Sequence, residues 1–308
     1  MVAETPIYDL SVIVLSYNVK NLTRACIQSI INATHKIKYE IICVDDNSPD
    51  HSADMVRTEF PSVVLIANTE NKRFSEANNI GLRASKGRYG LLLNCDTVVK
   101  SGAFDQLVAF MDSHPDIAGC GPKLLNPDGS TQYCVRRFPT TASLIAQTFN
   151  LHRLWPGNPF TEYYYCLTID QEHPSQVECI GLTAFIMRRE VWEEIGTLDT
   201  RFPQLMADQA YSRKMHQFGK RLYYVPEIEV IHYGSQSVNQ NSRKAIIDLH
   251  NELKTFYSVF YEAKTNWLIR KLAYLGIDFR KWLKLLEYRL SADKRFITGP
   301  GAPQTAKK

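Results

Sequence analysis

Short, continuous apolar runs alternate with segments of helical spacing through the first part of this chain, and that alternation limits the fold more than any other feature. Leu10–Leu15 (LSVIVL), Glu40–Val44 (EIICV), Val63–Ala67 and Tyr89–Leu93 are apolar and rich in branched side chains, as strands buried on both faces are. Between and after them, Leu22, Cys26 and Ile30 share one helical face, with Asn21 as the expected cap. Ser75–Ser85 reads as a helix capped by Ser75 and stopped at Gly87. Phe104, Leu107, Val108 and Met111 mark another, ended by Pro115. Strand alternating with helix predicts an α/β fold of the Rossmann-like kind, a mostly parallel sheet flanked by helices. Ligands of such sheets bind beyond the carboxyl ends of the strands. Two acidic clusters, Asp45-Asp46 and Asn94-Cys95-Asp96, fall at those ends.

The second half is less regular. Asn126-Pro127-Asp128-Gly129 is a turn, followed by a strand-like stretch with Arg136 and Arg137. Thr140–His173 is aromatic and irregular. Ile180–Met187 is apolar, and short helices begin at Glu190 and Asp208 and stop at Gly196 and Gly219. Leu222–Val225 and Glu229–His232 read as strands interrupted by Pro226, and from Ser242 onward the chain reads as mainly helical. The expected organisation is a core over 1–240, a helical extension over 241–297 and a disordered tail over 298–308. A formal net charge of +4 is too small to imply nucleic acid as a partner. The 7 cysteines include no CxxC pair, which argues against zinc or a disulfide scaffold and suits a reducing cytosol. No signal-peptide pattern opens the chain, and no apolar run reaches the roughly 18 residues that span a bilayer.

The residues that could carry chemistry are mostly acidic. A carboxylate just past a buried strand, as at Asp96, can hold Mg²⁺ or Mn²⁺ through oxygen; it can equally close a local turn. The loop Asp45–Asp50 offers acceptors for a base N–H and a ribose hydroxyl, or is a plain surface loop. Asn78 and Asn79 could face a phosphate or ribose, or merely line a helix. Asp208 stands where a helix cap belongs, and a capped carboxylate could also act as a positioned general base. His232, at a strand end before Gly234-Ser235, is either structural or a ligand.

In order along the chain, SVIVLSYN, CVDDNSPD, NTENKRFSEANNIGLRASKGRYGLLLNCDT, PKLLNPDGSTQYCVRRFP, GLTAFIMRREVWEEIGTLD and RLYYVPEIEVIHYGSQS resemble glycosyltransferase family 2 and its GT-A fold, most closely the bacterial rhamnosyltransferase-like branch. The resemblance covers about Asp9 to Tyr261. It implies inverting transfer of a sugar, rhamnose being the branch's example, from a nucleotide-diphosphate sugar to a glycan or polyprenyl-linked acceptor in cell-surface polysaccharide synthesis. It also implies a Mg²⁺ or Mn²⁺ cofactor and a cytoplasmic site of action near the inner face of the membrane. On this pattern Asp45 and Asp46 meet the nucleoside, with Ser16, Asn78, Asn94 and Arg73 around the donor. Asp96 and His232 hold the metal, and Asp208 is the general base.

Three departures stand out. Arg73 replaces the family's glycine before Phe74, Cys95 replaces a proline, and Ala207 and Ala210 replace the acidic flanks of Asp208. The last leaves open a catalytically impaired nucleotide-sugar-binding subunit. A nucleotidyltransferase would show a glycine-rich phosphate loop after the first strand, where this chain has Ser16-Tyr17-Asn18-Val19-Lys20. In the extension, Trp267, Leu268, Leu272, Leu275, Trp282, Leu285 and Leu286 mix with Arg270, Lys271, Arg280, Lys281, Lys284 and Arg289. That pattern fits either a helix packed on the core with snorkelling cations or a peripheral membrane contact.

Overall fold

The fold was analysed in a computed structural model, which describes residues 6–140, 143, 155, 157–234 and 239–291. The expected tail and Ser235 lie outside these. The apolar runs form β1 (Tyr8–Ser16), β2 (Tyr39–Asp45), β3 (Val64–Ala67) and β4 (Gly87–Asn94), with α1 (Lys20–Ala33), α2 (Ser52–Glu59) and α3 (Arg73–Ala84) between them. Helix α2 occupies a stretch the sequence reading left without an element. After β4 come β5 (Thr97–Val99), α4 (Ala103–Ser113), β6 (Gly119–Leu125), β7 (Thr131–Gln132), β8 (Val135–Arg136) and α5 (Pro159–Tyr165). The chain continues through β9 (Ser175–Val177), β10 (Cys179–Ile180), β11 (Ala184–Arg188), α6 (Arg189–Ile195), α7 (Ala207–Gln217) and β12 (Leu222–His232). It closes with α8 (Ser242–Phe260) and α9 (Trp267–Leu290).

The main sheet has the order β3-β2-β1-β4-β11-β6-β12-β5. Strands β3, β2, β1 and β4 are all parallel. The parallel run stops there, because β11 enters antiparallel between β4 and β6. The two apolar faces of the sheet are covered by separate clusters. One lies under α1 and α4, around Ile27, Ile30, Phe104 and Leu107; the other lies under α3, α6 and α7, around Leu82, Phe185, Trp192 and Tyr211. The expected break at Pro226 is instead a register shift between Val225 and Glu229 within one strand. A bulge is where a residue without an N–H costs a sheet least.

Two expected caps are replaced by carboxylates from a distant loop. Asn21 lies inside α1 and accepts from Arg24, while the N-terminal Lys20 N–H donates to Asp50 (2.7 Å). Helix α3 begins at Arg73, ahead of Ser75, and its first donors go to Asp46. Ser75 donates instead to the Phe202 carbonyl (2.5 Å).

Helices α8 and α9 pack on the core through Phe256, Tyr257, Leu253 and Ile277, against Phe202, Met206 and Ala210. His250 of α8 is buried at 1% exposure. Its Nδ1 donates to the Ile246 carbonyl (2.7 Å), and its Nε2 has no partner. Burial, with Arg280, Lys281 and Lys284 of α9 nearby, pushes its pKa down to about 4. A histidine held neutral in this way supports the fold above its unfolded pKa and withdraws that support as pH falls toward the folded value. From neutral pH down to about 4, the native chain should lose roughly 3 kcal/mol at most that a His250→Leu variant does not lose. Denaturant titrations of both proteins across that range measure the difference.

Candidate active site

Register decides which polar residues meet at the carboxyl edge. Ser16 is paired with Asp45, and Leu15 with Asn94, so β1, β2 and β4 end side by side. On the far side β12 runs antiparallel to β5 and sets His232 opposite Thr97. The Tyr233 N–H donates to the Asp96 carbonyl (2.8 Å), pinning that end of β12 to the turn after β4.

Asp96 and His232 are both buried, and Asp96 Oδ1 lies 3.2 Å from His232 Nε2. The two atoms are close enough for an ion pair but are off the line of a hydrogen bond, and Nε2 has no hydrogen-bond partner. The other ring nitrogen is held firmly. Asn126 donates to Ser130 (2.9 Å) and accepts from Gln132 Nε2 (2.9 Å), so Gln132 turns its Oε1 toward His232 Nδ1 at 2.5 Å. An amide oxygen can only accept there, so Nδ1 carries a proton and Nε2 is the ring nitrogen turned toward Asp96. Ligating histidines are commonly oriented by such a second hydrogen bond.

This pair fits a hard divalent cation. Neighbouring ligands of an octahedral Mg²⁺, each about 2.1 Å from the ion, stand about 3 Å apart, which matches the carboxylate–imidazole spacing. Among the described residues no three His, Cys, Asp or Glu side chains converge on one point. A cation here would therefore complete its shell with water and substrate phosphate, as Mg²⁺ commonly does.

The predicted donor-side residues divide into engaged and unengaged groups. The Asp46 carboxylate accepts from Asn68 Nδ2 (2.9 Å), Lys72 N (2.7 Å) and Arg73 N (2.9 Å), so it ties the start of α3 to β2. Ser16 Oγ is paired with Thr23 Oγ1 (2.8 Å) at the first turn of α1. Asn78 Nδ2 donates to the Phe74 carbonyl. Neighbouring Asn79 bridges to both the N–H and the C=O of Leu198. Arg73 forms an ion pair with Asp248 of α8 (2.5 Å). Asp45 differs: Oδ2 accepts from Ser48 N (3.0 Å), while Oδ1 is buried with no partner. The side-chain amide of Asn94 likewise makes no hydrogen bond among the described residues; only its backbone is paired, its N–H to the Thr183 carbonyl (2.8 Å). A buried acceptor without a donor costs about 1–3 kcal/mol unless something supplies one, which makes Asp45 Oδ1 a candidate for a ligand contact.

Asp208 is the second residue of α7 and does not cap it; the cap position is Met206. The donors ahead of this helix are taken by Glu252 of α8, which accepts from Leu205 N (2.8 Å) and Met206 N (2.9 Å). The Asp208 carboxylate accepts from the adjacent Gln209 N–H (2.7 Å). Burial raises its pKa, opposed by that N–H and by the Arg136 guanidinium. A carboxylate held above its ordinary range is a stronger proton acceptor. Arg136 stacks on Tyr165, 4.7 Å from the ring centre, and has no carboxylate partner among the described residues. Arg137 lies over Tyr163 and 4.0 Å from Glu178.

Two short chain segments connect Asp208's surroundings to the Asp96–His232 pair. Gln132 bonds His232, and Arg136, four residues on, acts on Asp208. Cys179 also lies within electrostatic reach of Asp208, and Thr183, four residues on, bonds Asn94. Four residues extend at most about 14 Å, so each segment is a short covalent link between the surroundings of Asp208 and those of the Asp96–His232 pair.

The departures also acquire physical explanations. Arg73 has a φ of 66°, the left-handed region that favours glycine and costs another residue about 1–2 kcal/mol; its ion pair with Asp248 and its N–H bond to Asp46 hold it there. Ala207 and Ala210 are buried, packed against the core around Tyr211 and around Phe202 and Phe256. Acidic groups at those positions would need partners this packing does not provide. Sequence reasoning missed Gln132 and Glu252, and read Asp50 only as part of an acceptor loop, not as the carboxylate that takes the first N–H of α1. Each acts across the fold on a residue remote in sequence, and no local pattern marks it.

The sequence profile described as glycosyl transferase family 2 matches residues 11–196, more than half of the chain. The chain belongs to glycosyl transferase family 2. Among its relatives is the N-acetylglucosaminyl-diphospho-decaprenol L-rhamnosyltransferase of Mycobacterium tuberculosis, 24% identical over 248 residues, 75% of this chain and 79% of that protein. The minor teichoic acid biosynthesis protein GgaB of Bacillus subtilis is 36% identical over 111 residues, 35% of this chain but only 12% of that much longer protein. Two solved glycosyltransferases share the fold. The mannosyltransferase PcManGT from Pyrobaculum calidifontis, solved with GDP-Man and Mn²⁺, gives a TM-score of 0.56 at 15% identity over 93% of this chain and 76% of that one. GalNAc-T7, solved with UDP, GalNAc and Mn²⁺, gives 0.55 at 22% identity over 74% of this chain and 44% of that one. The α/β architecture of this family 2 protein is thus the GT-A fold.

The two adjacent aspartates should respond differently to substitution. Asp46→Ala removes the acceptor for three donors and should lower unfolding free energy by about 2–3 kcal/mol. Asp45→Asn keeps the Ser48 contact and should change it by less than about 1 kcal/mol. Urea unfolding of the two variants beside the native chain checks the contrast.

Proposed function

We propose that this family 2 protein transfers a sugar, with inversion, from a nucleoside-diphosphate sugar to a hydroxyl of a glycan or polyprenyl-diphosphate-linked acceptor in cell-surface polysaccharide synthesis. The observation that carries the reading is the buried Asp96–His232 pair, whose Nε2 has no hydrogen-bond partner, on the same sheet edge as the Asp45 oxygen that also lacks one. The extended match to a rhamnosyltransferase favours a deoxyhexose donor of that kind.

In this reading Asp45 Oδ1 accepts from the base or ribose, and Asn94 reaches the donor at the end of β4. Asp46 acts through structure, holding α3 against the nucleoside loop. Asp96 and His232 hold Mg²⁺ or Mn²⁺, which when bound neutralises charge on the departing diphosphate. Gln132 keeps the His232 lone pair directed at that place. Asp208 takes the proton of the acceptor hydroxyl as its oxygen attacks the anomeric carbon from the face opposite the diphosphate. Arg136, stacked on Tyr165, places positive charge near the base and opposes the upward pull of burial on its pKa.

A thermal-shift screen of nucleotide sugars, with and without Mn²⁺, tests donor binding. A cognate donor should stabilise the chain only when the cation is present, and no shift with any nucleotide sugar would remove the reading. Asp208→Asn should cut turnover by roughly 10²–10⁴-fold with donor binding unchanged. Because the raised Asp208 pKa contributes stability only below the unfolded value and loses it as pH rises through the folded one, the same variant should be as stable as the native chain at neutral pH, or more so. Near-normal turnover would assign Asp208 a structural role. Gln132→Ala should weaken Mn²⁺ binding by roughly 10–100-fold, read by electron paramagnetic resonance of free Mn²⁺; unchanged affinity would separate Gln132 from the metal.

A further inference from the structure

Helix α9 spans 24 residues, and only Ile277 is fully buried. Its inner side is held by Ala273, Tyr274, Ile277, Leu285 and Tyr288, which pack toward α8. Its outer side is unusual for a protein surface. Leu268, Leu272, Leu275, Phe279, Trp282 and Leu286 follow one another at steps of four, three, four, three and four residues, which places them in one continuous stripe. Their exposures run from 37% for Leu286 to 59% for Leu272. Trp267 at one end and Leu290 at the other are 71% and 77% exposed. Every remaining exposed position of α9 is Ile269, Lys271 or Arg289; none is acidic.

Charge says what this face fits. The helix carries Arg270, Lys271, Arg280, Lys281, Lys284 and Arg289 against Asp278 and Glu287. Both acids are only partly exposed and paired within the extension, Asp278 with Lys254 and Lys281, and Glu287 with Lys284. The excess of cations over acids in α9 equals the formal net charge of the whole chain, +4, so the rest of the protein is neutral overall and the basicity is concentrated here. A second copy of the same face would meet like charge, with no exposed acid to pair with Lys271 or Arg289. No helix among the described residues is long and apolar enough to cross a membrane, so the stripe is suited to lie along a bilayer and not through it. An amphipathic helix with aromatic and aliphatic groups on one face and cations beside them has the composition of an interfacial helix on anionic lipid.

We propose that α9 is a membrane-surface helix whose outer face seats the protein on an anionic bilayer. The Trp267 and Trp282 rings and the leucine stripe enter the headgroup–acyl boundary, and Lys271 and Arg289 meet lipid phosphates. The inner face joins α8, whose Asp248 and Glu252 hold Arg73 and the loop before Asp208. The helix on the lipid is thereby fixed to both sides of the candidate site. The proposal rests on α9 alone, whatever the site transfers, and its test uses no sugar.

The full chain is sedimented with phosphatidylcholine vesicles and with vesicles that also contain phosphatidylglycerol. Preferential pelleting with the anionic vesicles is expected, with a blue shift of tryptophan emission and quenching by brominated acyl chains. Leu272→Glu combined with Phe279→Glu alters two exposed side chains and should leave the circular dichroism melt unchanged while reducing vesicle binding by at least about tenfold. Lys271→Glu with Arg289→Glu should weaken binding to the anionic vesicles by a similar factor. Absence of binding to anionic vesicles would overturn the proposal, as would equal binding by the folded Leu272→Glu/Phe279→Glu variant. A dimer seen by light scattering and abolished by that variant would overturn it in favour of a second copy of the chain.

Discussion

A parallel strand can return to its sheet only through a crossover, and that constraint places the three loops of the candidate site that follow β1, β2 and β4. Strands β1, β2 and β4 run in the same direction and end in register, with Ser16 beside Asp45 and Leu15 beside Asn94. Each must then leave from the same edge, so three polar loops far apart in sequence are delivered to one place. Apart from Ser11, whose hydroxyl is hydrogen-bonded to Glu40, the interior of these strands is apolar and largely buried. A register slip would push polar groups into that interior, so the same packing that stabilises the sheet also fixes the edge.

Polar groups at that edge serve two physically different ends. Asp46, Asp50 and Glu252 are carboxylates spent on backbone N–H groups at the starts of helices, where unpaired donors and the positive end of the helix dipole favour them. They anchor α1, α3 and the approach to α7. Asp45 Oδ1 and His232 Nε2 are buried without a hydrogen-bond partner, a costly state in a folded chain. The anchoring groups hold the loops that carry these atoms. The network from Asn126 through Gln132 to His232 does this for a ring nitrogen, by fixing where its proton sits.

The C-terminal helices belong to this arrangement more closely than an appended segment would. Helix α8 supplies Asp248 to Arg73, offsetting a left-handed backbone at the mouth of α3, and Glu252 to the loop before Asp208. Helix α9 covers α8 with one face and leaves an apolar, cationic face outside. The family profile ends at residue 196, before Asp208, His232 and these two helices.

Much of the fold was legible in the sequence because burial writes itself into composition. Strands covered on both faces read as apolar runs, helices as a 3.6-residue period, and the carboxyl ends of the strands as acidic clusters at Asp45 and Asp96. Glycine stops at Gly196 and Gly219 were equally plain, both having positive φ. The sequence by itself therefore determined the α/β class, the family and the edge on which the candidate site lies. Tertiary structure alone decided which polar groups there are free and which are engaged. Asp45 and Asp46 are adjacent and chemically identical, yet one caps a helix and the other keeps an unpaired oxygen. Gln132 and Glu252 gain their roles from partners 100 and about 46 residues away. A hydrogen bond depends on where two atoms stand within a few tenths of an ångström, and contacts between distant segments are set only when the whole sheet and its covering helices have packed.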